Sequence, residues 1–314
     1  MATLAGATHD RGGILGRLRA SGNIRYYAVF VTLITYGLIV LGGTVRATGS
    51  GEACPDWPLC HGQLIPPAET KVWIEFTHRL VASVTGFLIF GLALAIWRTR
   101  RGDSPLIRAT VFLMALLVLQ VIVGGITVGT ETAAGIVAIH LTIALTLISA
   151  LIFICARLLR SAPLDAARIE ILPLVVLAAV YVAVIAGVFV SQRHAGLAYP
   201  DWPLFDGKLT PAGSEAGQLH YGHRIVAGLA GVLIVWLFVR ALAQDAAPSV
   251  VWGLTAVLVL FLAQALLGAA NVWLDLATSV RILHLALASA VWGVLVFTIM
   301  WAHQNALTVT KGRS

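Results

Sequence analysis

Four histidines stand in matched places along this chain, His78 with His140 and His223 with His284. Each lies within about the first two turns of an apolar run, where an ionisable side chain is costly and marks a working site. Imidazoles carried on facing helices can hold haem iron from both axial sides. Two further groups could do chemistry beside them. Cys54 and Cys60 flank one short loop, and Glu75 lies three residues before His78, on the same helical face.

The histidines belong to a duplication. Cys-Pro-Asp-Trp-Pro-Leu-Cys from Cys54 to Cys60 returns as Tyr-Pro-Asp-Trp-Pro-Leu-Phe from Tyr199 to Phe205, and His78-Arg79 returns as His223-Arg224. Both landmarks give one offset, 199 − 54 = 145 and 223 − 78 = 145. Gln120 with Gly124 matches Gln264 with Gly268, and His140-Leu141 matches His284-Leu285, at 284 − 140 = 144. A repeat of this length makes two copies of one unit.

Composition places the units in a membrane. The chain is 59% apolar and 11% charged, with a mean hydropathy of +0.91, too few charges for a soluble globule. Apolar runs that meet the need for about 20 residues to cross about 30 Å of hydrocarbon lie at 26–45, 74–97, 107–128, 135–156, 170–191, 219–242, 249–271 and 280–302. The expected fold is an all-α integral membrane protein, its eight transmembrane helices forming two pseudo-symmetric parallel four-helix bundles. The divisions are a cytoplasmic tail (1–25), a first half (26–160), a linker (161–169), a second half (170–302) and a cytoplasmic tail (303–314).

Arginine and lysine set the orientation. Arg11, Arg17, Arg19 and Arg25, then Arg98, Arg100, Arg101 and Arg108, then Arg157, Arg160 and Arg168, then Lys311 and Arg313 all fall on one side. Both termini are therefore expected in the cytoplasm and the Pro-Asp-Trp-Pro loops outside, with the histidines near the outer face. Basic residues there, Arg46, Lys71, Arg193 and Lys208, are accompanied by acids such as Glu52, Asp56, Glu69 and Asp201. The net charge of +7 reads as a topology signal; no soluble basic domain exists to bind nucleic acid. The first 25 residues, whose arginines could mimic a transit peptide, read as an orienting tail.

An outer loop suits a disulfide between Cys54 and Cys60, while Cys155 sits alone at the cytoplasmic end of its span. Zinc held with His61 is the competing reading; the spacing is unusual for zinc and the second copy lacks the ligands. A haem pocket also needs small residues and cations for its propionates. Gly124, Gly125 and Gly268 are candidates for the first, and Arg79, Arg224 and Arg281 for the second. Glycines that only let helices approach and arginines that only snorkel are the plainer readings. The halves differ at one telling place: the counterpart of Glu75 is His220, read as a rim hydrogen-bonder, so one half alone sets a carboxylate beside its histidines. A rim carboxylate pairing with Lys71 or Arg79 is the plainer reading of Glu75. His9, His61, His194 and His303 read as solvated. A zinc or copper transporter could use four histidines, but the spans lack the carboxylates of a conduction path.

The run Gly-Gly-Thr-Val-Arg-Ala-Thr-Gly-Ser-Gly from Gly42 to Gly51, the Cys54 to His61 loop, Glu75-Phe76-Thr77-His78-Arg79 and His220-Tyr221-Gly222-His223-Arg224 resemble the haem A synthase family. The resemblance covers nearly the whole chain. It implies oxidation of the C8 methyl of haem O to a formyl group, giving haem A for terminal oxidases. By position it implies that His78 and His140 hold the substrate haem, that His223 and His284 ligate a resident haem b, and that Glu75 is catalytic. Cys54 and Cys60 match the family's outer-loop pair, and Tyr199 and Phe205 replace a second pair found in some members. Haem O synthase is the implied substrate donor and lipid the surrounding partner, with the electron donor unassigned and a homo-oligomer compatible. A dihaem b-type cytochrome passing electrons from quinol is the alternative.

Overall fold

The computed structural model describes residues 23–160, 170–210 and 213–311; the linker expected at 161–169 and most of the N-terminal tail, with His9, lie outside the described residues. Among the described residues eight helices are long and apolar enough to cross a membrane. They are α1 (Asn23–Ala47), α2 (Thr70–Thr99), α3 (Ser104–Gly129), α4 (Ala134–Arg160), α5 (Ile171–Gln192), α6 (Glu215–Ala243), α7 (Pro248–Trp273) and α8 (Thr278–Lys311). Among the described residues no strand forms; the two short bridges Cys60 with Gln63 and Phe205 with Lys208 close the loops. The chain is an all-helical, multi-pass membrane protein.

Helices overrun the apolar stretches because polar residues end them. Asp103 accepts from Leu106 N at 3.2 Å at the head of α3, next to Pro105, and Ser214 Oγ accepts from Gly217 N at 3.2 Å at the head of α6. α2 starts at Thr70, before its apolar run, which gives Glu75 and His78 helical backbone beneath them.

In the first half α1 packs on α2 and α4, and α3 packs on α2 and α4; in the second, α5 packs on α6 and α8, and α7 packs on α6 and α8. Pairs α2/α4 and α6/α8, the helices bearing the histidines, thus lie across their rings. The halves join through α1, α4, α5 and α8. One core of Ile24, Ile89, Leu92, Ile96, Leu113 and Leu151 fills the first half. A second core mixes Ile39, Leu145 and Ile148 of the first half with Val176, Ile234 and Leu295 of the second. Polar bonds reinforce that seam: Tyr36 donates to Ala286 O at 2.9 Å, Trp292 Nε1 donates to Leu145 O at 3.1 Å, and Thr142 and Tyr181 share a bond of 2.9 Å. With apolar side chains facing each other and lipid alike, such bonds and close packing decide association. Phe87, Phe90, Trp236 and Trp252 stay exposed, a surface for lipid tails rather than water.

Candidate functional site: two facing histidine pairs under folded loops

The four histidines come together as two pairs. His78 on α2 and His140 on α4 are electrostatic neighbours, as are His223 on α6 and His284 on α8. Every one of the rings leans on a helical glycine of an adjoining helix. A Cβ at Gly42 would come 3.2 Å from His78 Cε1, at Gly124 3.2 Å from His140 Cε1, at Gly187 3.1 Å from His223 Cε1, and at Gly268 3.4 Å from His284 Cε1. Any larger residue would push the first three rings. Gly124 and Gly268, expected to leave room for a porphyrin, leave room for imidazoles, and Gly125 lies under the Trp57 indole, 3.4 Å from its own ideal Cβ. Neither Gly42 nor Gly187 is legible in the sequence as a support for a histidine, although 187 − 42 = 145 repeats the offset of the histidines they support.

Hydrogen bonds repeat as well. Gln120 Nε2 lies 3.2 Å from His140 Nε2, and Gln264 Nε2 lies 3.2 Å from His284 Nε2. His223 departs from its counterpart: its Nδ1 donates to Ala183 O at 3.1 Å, whereas Nδ1 of His78 is buried without a partner. A histidine bonded at Nδ1 to a carbonyl presents Nε2 in the neutral, metal-binding tautomer.

Above the pairs sit the loops. Cys54 and Cys60 are joined in a disulfide; in the second half Tyr199 and Phe205 occupy those positions as an edge-to-face ring pair, centroids 5.2 Å apart. Asp56 accepts from Gly62 N at 2.8 Å and from His61 N, and Asp201 accepts from Gly207 N and Asp206 N at 2.9 Å each. The N–H of Gly62 holds the Asp56 carboxyl below its ordinary range, and that of Gly207 does the same for Asp201. His61, Asp206 and His194 have left-handed backbone with φ of 56°, 53° and 52°.

Both arginines next to the histidines point into these loops. Arg79 donates to the carbonyls of Cys54, Asp56 and Leu59, and Arg224 donates to those of Asp201 and Leu204 at 2.9 Å. Arg224 keeps one buried nitrogen, Nη2, without a partner. Glu75, only 4% exposed, accepts from Cys54 N at 2.9 Å through Oε2 and from Arg79 through Oε1. Of the two pairings expected for Glu75, the one with Arg79 forms and the one with Lys71 is not among its bonds. His220 stands in Glu75's place, with Nε2 accepting from Arg224 Nε at 3.0 Å, and its ring tilts against Tyr199. Arg281, at the head of α8, donates to Ala47 O at 3.0 Å.

Among the described residues no three His, Cys, Asp or Glu side chains converge on one point. A zinc site would need about four protein ligands, and at the loop the sulfurs are bonded to each other while His61 Nε2 donates to Ala53 O at 3.0 Å. The zinc reading falls. Two neighbouring imidazoles in each half are a donor set that fits a group bringing its own equatorial ligands and asking the protein for axial ones, which is haem.

Comparison with known proteins agrees with the geometry. The family model for COX15-CtaA, cytochrome oxidase assembly protein, matches residues 25–296. Heme A synthase of Exiguobacterium sp. is 30% identical over 292 residues, 90% of this chain and 94% of that protein. Heme A synthase of Geobacillus thermodenitrificans is 30% identical over 303 residues, 89% and 92% of the two chains. That of Bacillus cereus (strain AH187) is 26% identical over 93% of this chain and 97% of its own.

Proposed function

The chain belongs to the COX15-CtaA family of cytochrome oxidase assembly proteins, and from that premise we propose that it makes haem A by oxidising the C8 methyl of haem O to a formyl group. Haem A synthesis is the activity its relatives carry in their names, and cytochrome oxidase assembly is the role in the family's description. The finer reading is that His223 and His284 hold a resident haem b while His78 and His140 hold the substrate haem. One observation carries it: the halves match in histidines, glycines and glutamines, yet the carboxylate Glu75 stands only in the first and the anchored imidazole His223 only in the second.

Methyl to formyl is a four-electron oxidation, R–CH3 + H2O → R–CHO + 4 H+ + 4 e− overall, written as two hydroxylations followed by loss of water from a geminal diol, with the four electrons passing to an external oxidant. Iron supplies the redox chemistry, and the protein supplies orientation, exclusion of water and charge. His223, fixed by Ala183 O, keeps its ring ready for permanent ligation. His78 carries no such tether, which suits a site that must accept haem O and release haem A. Glu75, one turn from His78, is the catalytic carboxylate. Its second oxygen is bonded to the loop amide of Cys54, so the disulfide loop holds it at a constant depth over the first pair.

The orientation proposed is both termini in the cytoplasm and both sites near the outer face of a bacterial plasma membrane, supported by the arginine distribution. Haem O synthase is the proposed source of substrate. The test is pigment analysis of a host given haem O synthase with or without this chain. Haem A should appear only with both; haem b without haem A would favour the electron-carrying dihaem cytochrome.

A further inference from the structure

The half-bundles meet where α1 ends and α8 begins, and each brings an arginine to that place. Arg46 Nη2 donates to Ser191 O, at the end of α5, at 2.9 Å; Arg281 Nη1 donates to Ala47 O, at the end of α1, at 3.0 Å. Each therefore reaches across the junction. The charge of Arg281 acts directly on Arg46, so two guanidiniums are held near one another by neutral carbonyls. Among the described residues neither forms an ion pair with a carboxylate. Glu52, which accepts from Thr132 at 3.1 Å, is the acid whose charge reaches Arg46. Arg46 Nε is buried with no hydrogen-bond partner. Like charges brought together away from bulk water repel more strongly than at a surface, and an oxyanion between them would relieve this through forked, charge-assisted hydrogen bonds.

Their height relates them to both histidine pairs. Arg46 lies four residues beyond Gly42, the glycine against His78, and so on the same face of α1. Gly43 packs on the side chain of Leu285, next to His284, and Arg281 is one turn before His284 on α8. The arginines thus stand about one helical turn nearer the loop end than either pair. Arg79 and Arg224, at that end too, are turned to loop carbonyls. Neither junction arginine is duplicated, since 191 − 46 = 145 and 281 − 137 = 144 put Ser191 and Val137 in the corresponding places.

We propose that Arg46 and Arg281 form a single carboxylate-binding site at the junction, shared by the two halves and taking haem propionates. It rests on the haem reading above. A shared site differs from one arginine per haem in that a charge removed from the first half at Arg46 is felt by haem ligated in the second.

The test uses the full chain in nanodiscs, titrated with protohaem and with its dimethyl ester, for the parent protein and for Arg46→Gln, Arg46→Lys and Arg281→Gln. A hydrogen bond to a charged group is worth about 1.5–3 kcal/mol, or roughly tenfold to a hundredfold in affinity. The parent should prefer the free acid by about tenfold or more, and each glutamine variant should lose that preference with its affinity for the ester unchanged. Arg46→Lys, keeping charge without the fork, should restore part of it. Arg46→Gln should also lower the midpoint potential of the His223-dependent haem b, because a nearby cation favours the ferrous state. Equal loss of acid and ester overturns the proposal, as does an Arg46-dependent preference for anionic over zwitterionic nanodisc lipid without discrimination between the haems, since the oxyanion would then be a lipid phosphate. Parent protein that binds both haems equally well refutes this site alone; parent protein that binds neither refutes the haem reading with it.

Discussion

His223 Nδ1 donates to the carbonyl oxygen of Ala183 at 3.1 Å, and the equivalent nitrogen of His78 is buried with no partner. The two histidines occupy the same place in the two copies, against Gly187 and Gly42, and differ in this tether. A tethered imidazole loses less freedom on ligation and holds one tautomer. On the proposed reading, that bond favours retention of the haem held by His223 over the one held by His78.

The purified protein should accordingly carry a low-spin b-type haem that disappears in His223→Ala and His284→Ala and persists in His78→Ala and His140→Ala. Absorbance of the haem bands per mole of protein measures this. Loss of resident haem from His78→Ala with retention in His223→Ala would reverse the two halves.

Gly187 offers a steric check of the same pocket. Its ideal Cβ comes 3.1 Å from His223 Cε1, so Gly187→Val must displace the ring, at a cost of about 1–3 kcal/mol typical of overpacking. Haem b affinity should fall by about tenfold, whereas Gly37→Ala, whose Cβ meets nothing within 4 Å, should leave it unchanged. Unaltered affinity in Gly187→Val would mean that the ring does not stand against α5 when loaded.

Thiol labelling addresses the loop. Cys54 and Cys60 should resist a membrane-impermeant maleimide until the disulfide is reduced, then label from the outer side, while Cys155, buried and bonded to Thr32, stays refractory throughout. Immediate labelling of Cys54 and Cys60 in unreduced membranes would contradict the bridge; labelling only from the cytoplasmic side would invert the proposed orientation.

Much of this was legible before any coordinates. An offset of 145, falling to 144 in the later part of each copy, exposed the duplication, and four histidines in apolar runs exposed the candidate site, because burying a polar group in lipid is costly enough to be informative residue by residue. The contacts of Gly42 and Gly187 with the histidines are not legible in the sequence because glycine is frequent in membrane helices, and its presence does not say what it faces. Arg79 and Arg224 read in the sequence as propionate candidates, beside the plainer reading that they snorkel. They turn to the loop because the Asp56 and Asp201 segments fold back over the helix ends and offer carbonyls that would otherwise lack donors. Arg46 had been read only as outer-side charge; its place at the junction depends on how α1 meets α5 and α8, which is a tertiary fact.

Glu75 is where the account is most exposed. It is the one carboxylate a turn from a histidine of either pair, and its oxygens are bonded to Cys54 N and Arg79. Glu75→Gln keeps an acceptor for the Cys54 amide but removes the negative charge and the exchangeable carboxyl proton. The decisive measurement is chromatography of haems extracted from cells expressing a haem O synthase together with either the parent chain or Glu75→Gln at matched protein levels. The parent should yield haem A; Glu75→Gln should retain its haem b spectrum yet accumulate haem O or partly oxidised haem. Normal haem A from Glu75→Gln would reduce Glu75 to an anchor of the loop, and no haem A from the parent chain would contradict the proposed activity itself.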